Sequence, residues 1–199
     1  MSLRIAAGRY KGRKITTVSG PGYRPAMDKV RQALFSMLES RGVEWEGIRV
    51  MDLFAGSGSL GLEALSRGAG EVIFVENSPK AIRALGETLT SLQVPGEQWA
   101  LVTKKVDRYL GHPPKEPFDL VFVDPPYGQG LLLPTLKGLL SGNWLTASAC
   151  VAAEVEASID VDDVPDFDQI VNRTYGQTRI VIWTAPNPRL QSTREPSTP

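Results

Sequence analysis

The spacing of hydrophobic positions along the chain changes several times, and each change marks a new element. Residues 3–18 alternate loosely, with Leu3, Ile5 and Ala7, then Ile15 and Val18, around Gly8 and Gly12. Two short strands about a glycine-containing turn fit that spacing, with basic side chains on the exposed face of the hairpin. Residues 19–25, Ser-Gly-Pro-Gly-Tyr-Arg-Pro, form a loop. Val30, Ala33, Leu34, Met37 and Leu38 then recur at helical spacing, which predicts an amphipathic helix over 27–40. Asp28 in its first turn suits the positive end of the helix dipole, and Gly42 can stop it.

From residue 48 strand and helix alternate. Strands are predicted over 48–54, 71–76, 98–103, 118–124 and 149–155, and helices over 59–67 and 131–140. A further helix is capped by Ser78 and opened by Pro79, with Ile82, Leu85, Leu89 and Leu92 on one face. Strands at 169–175 and 179–184 are joined by a turn at Gly176. The pattern predicts an α/β fold: a seven-stranded, mostly parallel sheet, helices on both faces, an antiparallel terminal strand pair, and a small N-terminal β-hairpin. That terminal pair is unlike a dinucleotide-binding fold. The expected organisation is an extension over 1–25, the main domain over 26–185 and a disordered tail over 186–199, where Pro, Asn, Ser, Thr and Arg dominate.

Composition narrows the class. With 199 residues, 42% hydrophobic and 22% charged, the chain can bury one substantial core. No apolar run approaches a membrane span, and the N-terminus is not a signal peptide. The single Cys150 excludes an internal disulfide and sits in an apolar context that suits a structural thiol. With His112 as the one histidine, a Cys/His zinc site is excluded. The expectation is a cytoplasmic protein that binds neither metal nor membrane. Net charge is zero, 22 basic residues against 22 acidic, but the charges are polarised. Arg4, Arg9, Lys11, Arg13, Lys14, Arg24, Lys29 and Arg31 face one acid, Asp28, in the first 31 residues. Residues 154–168 carry seven acids and no base, and are expected to be solvated loop. From charge alone, a solvated face and a polyanion contact account equally well for the basic front.

Two stretches carry candidate chemistry. Residues 118–127, Phe-Asp-Leu-Val-Phe-Val-Asp-Pro-Pro-Tyr, run as a buried strand and stop at two prolines that cannot continue it. A carboxylate (Asp124), proline carbonyls (Pro125 first) and a flat ring (Tyr127) therefore gather at a carboxyl strand end, where open α/β sheets bind ligands. Residues 51–61, Met-Asp-Leu-Phe-Ala-Gly-Ser-Gly-Ser-Leu-Gly, join the first strand to its helix. Their small residues admit a ligand close to the backbone. The G-x-G-x-x-G they contain is weak evidence for NAD. Asp52, expected to point into the pocket, would repel a pyrophosphate and attract an ammonium group. Glu76, before Asn77, can accept both hydroxyls of a ribose.

Together these features resemble a class I S-adenosylmethionine-dependent methyltransferase of the amino-methylating group. Most of the chain, about residues 3–184, resembles the bacterial 16S ribosomal RNA guanine-N2 methyltransferases that modify guanine 966. The resemblance rests on Arg4-Ile5, Gly8 through Lys14-Ile15, Arg24-Pro25, Asp28 through Phe35, Leu53 through Gly58, Gly61 through Ala69, and Phe122 through Tyr127. It implies S-adenosylmethionine held by Asp52, Phe54, Ala55, Gly56, Ser57, Gly58, Glu76, Asn77, Val106 and Asp124. It implies Asp124, Pro125 and Tyr127 at the reacting amine, and Arg9, Lys11, Arg13, Arg24, Lys29 and Arg31 on RNA. The implied partner is 16S ribosomal RNA or the assembling small subunit, met by a monomer. The chain departs from the family pattern at Ala26-Met27, where a hydroxyl cap is lost, and at Lys105, which cannot accept a bond from the adenine amine. A backbone group near Val106, or Asp107, would have to replace it. An adenine-N6 methyltransferase shares the Asp-Pro-Pro-Tyr. An NAD oxidoreductase leaves that tetrapeptide unexplained, and a non-catalytic RNA-binding module leaves Asp52, Glu76 and Asp124 unexplained.

Overall fold

Runs of Val, Ile, Leu and Phe with no polar face need cover on both sides, and the sheet places them at its centre. A computed structural model describes residues 3–17, 25–161, 164 and 167–185. Its strands are β1 Arg49–Leu53, β2 Glu71–Glu76, β3 Trp99–Thr103, β4 Phe118–Val123, β5 Leu145–Glu156, β6 Asp168–Tyr175 and β7 Thr178–Thr184. They form one sheet in the order β3-β2-β1-β4-β5-β7-β6. The first five are parallel, and β7 runs antiparallel between β5 and β6.

Helices cover both faces. Helices α1 Pro25–Ser40, α2 Ser59–Arg67 and α3 Pro79–Leu92 share one core, in which Leu34, Phe35, Leu62 and Leu85 meet Phe74 and Phe122 of the sheet. Helices α4 Val106–Leu110 and α5 Leu132–Ser141 cover the other, with Leu110, Leu136 and Trp144 against Met51, Val121 and Trp183. Ser78 caps α3 as expected, its Oγ accepting the Ala81 N–H at 3.3 Å. Helix α4 was not foreseen, since five residues carry too little periodicity to register. Strand β5 starts four residues earlier than the predicted 149.

The N-terminal hairpin is reduced to one antiparallel bridge, Arg4 to Lys14, flanked by Ile5 N–H to Arg13 O (3.0 Å) and Ile15 N–H to Leu3 O (2.9 Å). It does not stand apart from the main domain. Ile5 and Ile15 are buried in the α1–α3 core, a gain of roughly 1.5–3 kcal/mol each. The buried Glu63 of α2 accepts the Ala6 and Ala7 N–H groups at 2.8 and 2.9 Å and pairs with Arg67 at 3.1 Å. Gly8, at φ +77°, lies so close to α2 that a Cβ there would stand 1.8 Å from the Ser66 carbonyl. The two sequence blocks 8–15 and 61–69 are thus the two sides of one docking contact.

Two expectations change. Arg31 is not on an exposed basic face. It is 5% exposed, donates to the Arg4 carbonyl at 2.6 Å and pairs with Asp28 at 3.0 Å. The acidic run is not all loop, because Glu154 and Glu156 belong to β5 and Glu154 is buried. Arg24, the 18–24 loop and the 186–199 tail lie outside the described residues. Among the described residues no helix is long and apolar enough to cross a membrane, and no cluster of His, Cys, Asp and Glu could hold a metal.

Candidate active site

The strand order reverses between β1 and β4, and chains leaving their carboxyl ends part company there. A cavity of about 680 Å³ fills the gap, a size suited to a nucleotide-scale ligand. One wall is Phe54 after β1, Val75, Glu76 and Asn77 at the end of β2, and Lys105, Val106 and Asp107 at the start of α4. The facing wall is Asp124, Pro125 and Tyr127 after β4, with Gln129 and Thr135 behind.

Phe54 adopts φ +60°, an uncommon conformation for a side chain of that size, and this turns the chain out of the sheet beside the cavity. Glu76 is the pivot of the first wall. Its Oε2 accepts the Gly56 N–H at 2.9 Å and its Oε1 the Ser78 N–H at 2.8 Å. Each oxygen keeps a lone pair for a ligand hydroxyl. The 55–58 turn does not itself line the cavity. Ala55 N–H is committed to Val75 O at 3.1 Å. Ser57 sits between Gly56, which is tied to Glu76, and Gly58. A Cβ on Gly58 would approach Leu85 Cδ1 to 2.4 Å, and one on Gly61 would approach Phe74 to 2.3 Å, so these two glycines serve helix packing.

Asp52 also differs from its expected pose. It faces α2, 1% exposed, and accepts the Gly61 N–H at 2.9 Å rather than pointing into the cavity. Burial raises its pKa to about 7, the Gly61 hydrogen bond opposes the rise, and the Glu76 charge adds to it. Asp124 extends the ladder through its N–H to Leu53 O at 3.4 Å. Its side chain reaches the cavity with a pKa well above the usual carboxylate range, first from burial, then from Glu154 and Asp52. Tyr127 is 47% exposed at the mouth, its hydroxyl 3.0 Å from Thr178 Oγ1.

Glu154 is the residue that sequence reasoning missed. The β4–β5 register pairs Val123 with Ala153, so the next position sets Glu154 beside Asp124. Burial raises its pKa and the Arg31 charge lowers it. The alternation of Ala152, Glu154 and Glu156 on one face of a strand was the available signal. The expected RNA residues divide. Lys29 is exposed on the first turns of α1. Arg9, Lys11 and Arg13 are exposed at the opposite, amino edge of the sheet. There Arg9 bonds Gln98 at 2.5 Å, before β3, and Arg13 bonds the Ser91 carbonyl at 2.8 Å, near the end of α3.

Sheet order, antiparallel last strand and a switch-point cavity closed by Asp-Pro-Pro-Tyr define a Rossmann-like class I methyltransferase. Solved structures agree. The Escherichia coli protein yhhF superposes with a TM-score of 0.83 at 29% identity, over 94% of this chain and 99% of its own. The Haemophilus influenzae protein HI0767 gives 0.79 at 29% identity, over 93% and 99%. The family described as "Conserved hypothetical protein 95" matches residues 3–184, and the chain belongs to it. Relatives named "Ribosomal RNA small subunit methyltransferase D" are 37% identical in Haemophilus influenzae, over 77% of this chain and 79% of the relative, and 35% in Escherichia coli, over 82% and 79%.

Proposed function

We propose that the protein transfers a methyl group from S-adenosylmethionine to the exocyclic N2 amine of a guanine in small-subunit ribosomal RNA. The observation that carries this is one cavity with an acid-and-apolar wall facing Asp124, Pro125 and Tyr127. The relatives' names favour a ribosomal RNA substrate. The residues present fit the cofactor. Glu76 offers lone pairs to a ribose, Val75, Val106 and Leu110 offer an apolar slot to an adenine, and Asp107 or the Val106 backbone replaces the acceptor that Lys105 lacks.

S-adenosylmethionine would supply an activated methyl on a sulfonium, which leaves the protein mostly a positioning task. A guanine amine delocalises its lone pair into the ring and attacks poorly. The Asp124 carboxylate and the Pro125 carbonyl would each accept one of its hydrogens and turn the lone pair toward the methyl. The product nitrogen must then shed a proton. An Asp124 whose affinity for protons is raised by burial and by Glu154 is suited to take it. Tyr127, exposed at the mouth, would stack on the base once it leaves its own stack. Lys29, exposed on α1, and Arg9, Lys11 and Arg13 at the far edge would meet phosphates and position without reading sequence.

The test is the N2-methylguanosine content of 16S ribosomal RNA from a strain lacking this protein. It is expected to fall by one residue per RNA and to return with the wild-type gene. An unchanged content, or loss of an N6-methyladenosine instead, would overturn the reading.

A further inference from the structure

Few large hydrophobic side chains are exposed among the described residues, and two of them share a place. Tyr127 is 47% exposed and Tyr175 40%. Tyr175 ends β6, directly opposite Thr178 of β7, and cross-strand partners have their β-carbons about 4.5–5.5 Å apart. The Tyr127 hydroxyl meets the Thr178 hydroxyl at 3.0 Å. The two rings therefore stand on either side of one threonine, Tyr127 at the cavity mouth and Tyr175 one step outward.

The outer position is held firmly. A two-residue turn joins the strands, with Gly176 at φ +61° in the first central place, a conformation that suits the twist of the pair. Arg173 lies two residues before Tyr175, on the same face of β6, and is exposed. The acid in the Tyr175 row, Glu156, is engaged by the Gly128 N–H, and the acid in the Arg173 row, Glu154, is buried beyond Ile180. An exposed aromatic beside an exposed cation, next to a pocket sized for a flipped nucleotide, is the chemistry that holds single-stranded nucleic acid.

We propose that Tyr175 is a second stacking platform, for a nucleotide flanking the one whose base enters the cavity, with Arg173 meeting the adjoining phosphate. The inference rests on RNA being the substrate, and it places the RNA strand over the β6–β7 turn. Stacking on one aromatic is worth enough that Tyr175→Ala should raise the KM for RNA about tenfold. Turnover at saturating RNA and the KM for S-adenosylmethionine should not move. Tyr175→Phe should restore the RNA KM. The slope of log KM against log salt should be unchanged in Tyr175→Ala and shallower by about one in Arg173→Ala, because only the arginine displaces a counterion.

The measurement uses the full chain, with 16S ribosomal RNA and small subunits from a strain lacking the protein assayed in parallel. Unchanged RNA KM in Tyr175→Ala on the substrate that wild type methylates would overturn the platform and leave the proposed function intact. Failure of wild type to methylate either substrate would instead count against the proposed function. In that case RNA affinity by fluorescence anisotropy decides the platform alone, with weaker binding by Tyr175→Ala supporting it and equal binding overturning it.

Discussion

The two edges of the sheet treat charge in opposite ways. At the amino edge the N-terminal hairpin displays Arg9, Lys11 and Arg13 in the open, with Arg9 and Arg13 hydrogen-bonded to neutral groups. At the carboxyl edge Asp52, Asp124 and Glu154 are drawn together inside the protein, where burial opposes their ionisation. One buried cation, Arg31, acts on that group from α1. Exposed charge costs a fold little, whereas buried like charges are kept at a cost in stability. That costly arrangement reaches the cavity through Asp124, so burial of charge marks the cavity better than abundance of charge does.

The amino-edge hairpin is a fixed part of the core. Glu63→Ala would strand two N–H donors and leave Arg67 paired with Glu39 alone. It is expected to cost about 3 kcal/mol or more in denaturant unfolding. Tyr175→Ala at the other edge should leave stability unchanged within error. A Glu63→Ala protein as stable as wild type would mean the hairpin is dispensable to the fold.

The cost of the buried acids can be read from pH. The folded chain holds the Asp52 proton to about pH 7, while the unfolded chain releases it near 3.8. Between those values the folded state binds more protons, so this group's contribution to stability falls as pH rises. Asp52→Asn keeps an acceptor for the Gly61 N–H and removes the charge. Above pH 7 it should be more stable than wild type, by on the order of 4 kcal/mol at most, with the gap closing toward pH 4. A difference independent of pH would place the charge elsewhere.

Glu154→Gln tests the same edge through activity. The Glu154 charge raises the Asp124 pKa, so its removal should move the acid limb of the kcat/KM profile to lower pH. A limb that stays in place would remove Glu154 from the electrostatics of the site. The smallest effect is expected at the amino edge. Replacing Arg9, Lys11 and Arg13 together by Ala should raise the RNA KM less than tenfold and make its salt dependence shallower. An unchanged slope would reduce the hairpin tip to a solvated face.

The sheet was legible because its strands are β-branched and aromatic runs bounded by glycine and proline, and 71–76 is observed as predicted. The residues at the switch point were legible because the prolines after Asp124 force an exit from a central strand. Depth was not legible. Arg31 sits in a basic run and Glu154 in an acidic one, and nothing in local composition distinguishes a buried member of such a run. Their burial comes from long-range contacts, α1 against β5 and β4 beside β5. The glycine-rich stretch reads as a ligand cradle in the sequence, yet Gly58 and Gly61 answer to Leu85 and Phe74, contacts visible only once the helices are packed.

We propose that the carboxyl-edge cavity transfers a methyl group to RNA through Asp124. The most direct measurement incubates the purified protein with S-adenosylmethionine carrying a labelled methyl and with small subunits from a strain lacking it. Nuclease digestion and mass spectrometry then locate the label. Wild type is expected to place it on N2 of a single guanine, and Asp124→Ala to bind the cofactor by calorimetry yet transfer at least about a hundredfold more slowly. Near-normal transfer by Asp124→Ala, or label on any other atom, would contradict the account.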